Sequence, residues 1–147
     1  MDLSQKLNQI ELFGILNGKI SKLINRYLFN RFKEANLGIT VEQWTVLACL
    51  WQKDKVTQQT LSDITFRDKP SMTRLIDNLE KQNLAVRVPD STDRRVNLIY
   101  LTQKGMDLEK QATQIVQDVV ERTLSKMSGD EIMICRNVLK KIFENLT

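Results

Sequence analysis

Between residues 7 and 35, apolar side chains recur at Ile10, Phe13, Leu16, Ile20, Leu23, Ile24, Tyr27, Leu28 and Phe32. Steps of three and four residues predict one long amphipathic helix. Asn36 and Gly38 follow, residue types that accept the left-handed backbone found just past a helix. Thr40 and Gln43 then form a T-x-x-Q capping box, which starts a second helix at Val41, running to Gln52, with Trp44, Leu47 and Leu50 turned inward. Thr57 caps a short third helix through Ile64, and Asp68 caps a fourth from Lys69 to Gln82. Pro70 fits that first turn, where its missing N–H would have had no intrahelical acceptor. Met72, Leu75, Ile76 and Leu79 make the buried side of the fourth helix, which leaves Ser71, Thr73, Arg74, Asn78 and Lys81 on or near its outer face. Asn83 is a left-handed terminator.

The period then changes. Val86, Val88, Val96, Ile99 and Tyr100 are strand formers, and Pro89, Asp90, Ser91 and Asp93 interrupt them, so residues 85–89 and 96–101 predict a hairpin with an exposed tip. A lone hairpin is marginal in water and must lean on the preceding helices. Thr102 caps a fifth helix with Met106, Ala112, Ile115, Val119 and Leu124 on its apolar side. Ser128 and Glu131 box the start of a sixth, with Ile132, Cys135, Leu139, Ile142 and Leu146 on one side. The order helix, short helix, turn, helix, hairpin is a winged helix-turn-helix. The fold class is therefore mainly α with a small β-hairpin, in one unit over residues 1–147. A lobe at 37–101 lies between long N- and C-terminal helices at 1–36 and 102–147. Those terminal helices offer more apolar surface than a small lobe covers, which points to dimerisation.

Composition narrows the chemistry. In 147 residues, 41% are hydrophobic and 27% charged, and no apolar run nears the roughly 20 residues needed to cross a bilayer. The start, MDLSQKLNQIELFG, lacks a basic segment followed by an apolar one, so a cytoplasmic protein is expected. Histidine is absent, which removes the commonest general base and the commonest zinc ligand together. With no Gly-rich phosphate loop, nucleophile motif or paired-carboxylate signature, neither an enzyme nor a cofactor is expected. Cys49 and Cys135 stand apart in apolar helical patterns, where thiols usually behave as small buried hydrophobes. The net charge of +4 and a pI near 9.1 favour an anionic partner, though weakly.

Groove dimensions give the hairpin a use. A helix fits the major groove of double-stranded DNA, and a narrow minor groove concentrates negative potential that an arginine can enter. Arg94 and Arg95 at the tip can reach beside the fourth helix, Arg95 into the minor groove with Asp93 holding it, and Arg94 onto phosphate. Ser71, Thr73 and Arg74 lie near the amino end of the helix, where base edges or nearby phosphates are met. Arg67 and Lys69 are phosphate candidates, although a solvated basic face explains them nearly as well. Arg74 also stands three residues before Asp77, a helical ion-pair spacing.

The segments "DKPSMTRLIDNLEKQNLAVR" (68–87) and "DRRVNLIYLTQKG" (93–105) resemble the recognition helix, D-x-R wing and L-T-x-x-G of the MarR family, the multiple-antibiotic-resistance type of bacterial transcription regulator. Many relatives have Gly where this chain has Asn83, a substitution that preserves the left-handed turn. The resemblance implies a homodimer that interlocks through the first, fifth and sixth helices, binds a pseudo-palindromic operator and represses until a small aromatic or anionic effector relieves it. Trp44, Trp51, Phe13 and Tyr27 are candidates for an effector cavity, but aromatics at helical spacing more often fill cores. The family's peroxide sensors carry a reactive thiol in the first helix, and residues 7–35 hold none. The rival expectation is a winged-helix module that binds protein instead of DNA.

Overall fold

In the computed structural model, which describes residues 14, 15 and 17–147, the first helix (α1) spans Lys19–Glu34. It does not run unbroken from residue 7: Gly18 stands immediately before it at φ 93. That backbone suits glycine alone, and glycine inside a helix is worth about 1 kcal/mol less than alanine, so the apolar period is cut there. Ile10, Phe13 and Leu16, on the same expected face, lie outside the described residues. Beyond the break, Leu28 and Phe32 are buried while Ile20 and Leu23 are half exposed.

The caps act where the sequence places them. Thr40 and Gln43 exchange both capping-box hydrogen bonds at the start of α2 (Val41–Gln52). The Thr57 hydroxyl accepts the Thr60 N–H to open α3 (Gln58–Thr65). Asp68 accepts the Ser71 N–H at 2.7 Å to open α4 (Lys69–Lys81), and Asn83 takes φ 57 just beyond its end. Strands β2 (Ala85–Pro89) and β3 (Asn97–Leu101) pair antiparallel, Ala85 against Leu101 through Pro89 against Asn97. The sheet also has a member the pattern did not announce. β1 (Val56–Thr57) pairs with the other edge of β3, giving the order β1-β3-β2. Two residues are too few to show alternation, yet this pairing fixes the wing to the start of α3.

Beneath these elements lies one core, in which Phe32, Leu47, Leu50, Leu61, Met72, Ile76, Leu79 and Ile99 are fully buried. Trp44, Trp51 and Tyr27 pack against it. The fifth predicted helix is α5 (Gln103–Asp107) and α6 (Glu109–Thr123), separated by Leu108, whose φ −73 and ψ −21 keep the helical course. α6 packs on α1 through Ala112, Ile115 and Val119, with Arg122 stacked 5.0 Å from the Tyr27 ring centroid and Arg31 3.7 Å from Asp118.

The last helix, α7 (Gly129–Leu146), has its Ser128–Glu131 capping box but no buried residue. Ile134, Leu139, Phe143 and Leu146 are exposed, and Phe143 touches the lobe edge-on at Phe66, 5.5 Å between ring centroids. Here the expectation for the cysteines needs correction. Cys135, on this uncovered helix, is exposed, whereas Cys49 is half buried and burial pushes its thiol pKa up. Among the described residues no helix is long and apolar enough to cross a membrane.

Candidate nucleic-acid interface

The α3–α4 turn is built by a left-handed residue and a cap. Phe66 takes φ 52, the Arg67 N–H returns to the Ser62 carbonyl at 3.0 Å, and Asp68 then starts α4. This geometry leaves Lys69, Pro70 and Arg74 exposed at the amino end of α4, whose Ser71 N–H is already capped by the Asp68 carboxylate. Ser71 is half buried beside them.

The wing tip is shaped by two aspartates. Asp90 accepts the N–H and the hydroxyl of Thr92, each at 2.9 Å, and the Asp90 N–H closes on the Val96 carbonyl at 2.9 Å. Asp93 accepts the Arg95 N–H at 3.0 Å and the Arg95 Nε–H at 3.2 Å. The Arg95 side chain is nonetheless 92% exposed, and Arg94 is exposed beside it. Both guanidiniums thus sit on a loop whose backbone is fixed by its own side chains.

Between wing and helices lies a cleft of about 590 Å³, lined by Gln58, Lys69, Thr73, Asp77, Arg87 and Arg95 among others. It brings Lys69, Thr73 and Arg95 to one concavity. Two expected residues are engaged otherwise. The Thr73 hydroxyl accepts the Gln58 amide N–H at 2.8 Å, and half-buried Arg67 turns back to Thr45 Oγ1 at 3.4 Å, its Nε without a hydrogen-bond partner among the described residues. The Arg74–Asp77 spacing is not used as an ion pair. Asp77 instead meets Arg87 at 2.7 Å, and Glu80 on the next turn holds the same guanidinium. Arg87 and Gln58 were not among the sequence candidates. The available signal was Asp77 and Glu80 three apart on one face of α4, facing the single arginine of the strand AVRVP.

The caps make a pH prediction. The carboxyl pKa of Asp68 is lowered by the Ser71 backbone N–H and then its hydroxyl, that of Asp90 by the corresponding groups of Thr92, and that of Glu131 by those of Ser128. Since the folded values lie below the unfolded ones, the unfolded chain takes up protons first as pH falls. The stabilisation is complete above the ordinary carboxylate range and is lost as pH falls through the lowered values. Melting curves on the acid side should therefore decline, and Asp68→Asn, which keeps an amide cap but no titration, should flatten that decline. An acid limb identical to the parent's would refute this role for Asp68.

The MarR family model matches residues 39–96, which run from the start of the lobe to the wing. The regulator SarZ of Staphylococcus epidermidis is 31% identical over 108 residues, covering 74% of this chain and 69% of that protein. The chain belongs to the MarR family. The multiple antibiotic resistance protein MarR of Escherichia coli is 29% identical over 132 residues, 89% of this chain and 88% of that protein. A mutant of that MarR, solved in complex with operator DNA, superposes with a TM-score of 0.83 at 27% identity, covering 97% of this chain and 99% of that one. In this chain the D-x-R sequence of the wing is the Asp93-braced Arg95, and the L-T-x-x-G sequence holds the Thr102 cap with Gly105 beneath Leu84.

Proposed function

We propose that this MarR-family chain is a homodimeric, sequence-specific DNA-binding transcriptional regulator. It occupies a pseudo-palindromic operator in the cytoplasm, acts as a repressor, and is released by a small aromatic or anionic effector. Residues 37–101 form its DNA-binding lobe, and residues 1–36 and 102–147 dimerise. It works by binding, without catalysis.

One observation carries the reading: the amino end of α4 and the braced, exposed Arg95 flank a single cleft, so helix and wing can meet neighbouring grooves of one duplex. Ser71, Thr73 and Arg74 would serve the major groove, Arg94, Lys69 and Arg67 the phosphates, and Arg95, held by Asp93, the minor groove. The apolar residues that α7 leaves exposed support a second copy as its cover. The operator complex of the related MarR supports the partner.

Selection of bound duplexes from a random pool at stated ionic strength tests the reading. The expected result is an enriched inverted repeat with half-sites about one helical turn apart. A monomeric chain with no affinity for any duplex in dilute buffer would instead favour a protein-binding winged helix.

A further inference from the structure

We infer that Arg87 is a positioning residue for operator recognition, one that fixes the angle between wing and recognition helix without itself touching DNA. The inference rests on the DNA-binding reading above and concerns how that interface is held in shape.

Arg87 stands at the centre of β2, paired with Ile99 of β3, with its side chain only 19% exposed. Its guanidinium spends its donors inside the protein. Nε–H reaches Gln58 Oε1 at 3.4 Å, Nη1 serves Asp77 Oδ1 at 2.7 Å and Glu80 Oε1, and Nη2 reaches the Thr73 carbonyl at 3.1 Å. The Arg87 backbone N–H also donates to Glu80 Oε2 at 3.1 Å. Four of the five N–H bonds of the side chain are thereby used. The partners belong to α3 and α4, while Arg87 belongs to the wing, so one planar group joins the three elements that line the cleft. Gln58 closes the ring: its carbonyl accepts from Arg87 and its amide donates to Thr73 Oγ1.

Only a guanidinium can do this. A lysine carries the same charge but directs its donors from a single point, and it cannot span Gln58, Asp77, Glu80 and a main-chain carbonyl together. The root of the wing is also held by β1 pairing on β3 and by Ala85 and Ile99 in the core, and the fork adds the side-chain tie between the middle of β2 and the faces of α3 and α4. A change in tilt moves Arg95 relative to Lys69 and Arg74. Specific binding needs all three in register, whereas non-specific binding needs only the charge.

The test compares Arg87→Lys and Arg87→Met with the parent, on the selected operator and on an unrelated duplex, over a range of salt. For Arg87→Lys, operator affinity should fall about tenfold or more while unrelated-duplex affinity and the salt slope stay at parent values. Hydrogen exchange of the β2 and β3 amides should quicken in the free protein. Because Arg87→Met leaves two carboxylates unpaired near DNA, the neutral triple variant Asp77→Asn/Glu80→Gln/Arg87→Met separates geometry from charge, and it should remain weak on the operator.

Three binding results would overturn the inference: full operator affinity in Arg87→Lys, recovery of parent affinity in the neutral triple, or a salt slope reduced by about two per dimer with equal losses on both duplexes. The last would make Arg87 a phosphate ligand. Failure of the parent to bind any duplex would be a different outcome, refuting the DNA-binding reading and this inference with it. Unchanged wing exchange in Arg87→Lys would refute the positioning role alone.

Discussion

Replacing Arg94 and Arg95 together by alanine is expected to weaken operator binding by about a hundredfold or more while leaving the fold intact. Both residues are exposed on the tip between β2 and β3. Their loss uncovers nothing, and surface changes of this kind usually stay within about 0.5 kcal/mol. The ion pair between Arg95 and Asp93 is itself exposed, and its removal costs about 0 to 1 kcal/mol. The effect on DNA is of another order, because a dimer presents two wings and the double variant removes four cations from them. The dependence of log affinity on log salt should become shallower by about 0.9 for each phosphate that is no longer neutralised. The single variants should differ in kind. Arg94→Ala should weaken all duplexes evenly, and Arg95→Ala should also relax the preference for narrow, A·T-rich minor grooves beside the half-site. Salt-titrated binding isotherms decide the matter: unchanged affinity and slope in the double variant would remove the wing from the interface.

How much of this was open to a reader of the sequence follows from the range of the forces involved. Caps are local, so Thr40 with Gln43, Ser128 with Glu131, and Asp68 ahead of Pro70 declared three helix starts that the structure places at Val41, Gly129 and Lys69. The bracing of Arg95 by Asp93 was also legible, since a carboxylate two residues earlier is within reach in a tight turn. The break at Gly18 was not. A glycine in an apolar period can be tolerated or can end the helix, and only tertiary packing decides which. β1 was hidden because its two residues carry no period of their own and exist as a strand only through β3. The partners of Arg87 were hidden differently: Gln58 lies 29 positions away, and no local rule joins a helix, a second helix and a strand. The exposure of Cys135 marks another limit, because the helical pattern around it describes a face that the described residues leave uncovered.

A methyl group at Gly105 should do the most damage per atom added. An ideal Cβ there would stand 2.1 Å from the Leu84 carbonyl oxygen and 3.2 Å from Leu101 Cδ2. The first is main chain and cannot swing away. That same carbonyl accepts the Thr102 N–H at 3.1 Å, the Gly105 N–H donates to the Thr102 hydroxyl at 3.0 Å, and the Gly105 carbonyl accepts the Trp51 indole N–H at 3.0 Å. Nearby, Lys104 Nζ reaches the Gln82 carbonyl at 2.9 Å and Thr102 Oγ1 the Asn83 carbonyl at 2.6 Å. The start of α5 is thus pressed onto the backbone that leaves the recognition helix, and this is where the lobe joins the terminal helices. Gly105→Ala must force the two apart and stretch these bonds, at a cost of about 3 kcal/mol or more. For a chain of this length that lowers the melting midpoint on the order of 10 °C. Gly129→Ala is the matched control, since nothing lies within 4 Å of a Cβ built there, and it should stay within about 1 kcal/mol of the parent. Operator affinity, measured well below the lowered midpoint, should fall as well, because displacing α5 changes the angle at which each lobe is carried by the dimer. A Gly105→Ala protein that melts and binds like the parent would show that this junction does not set that angle.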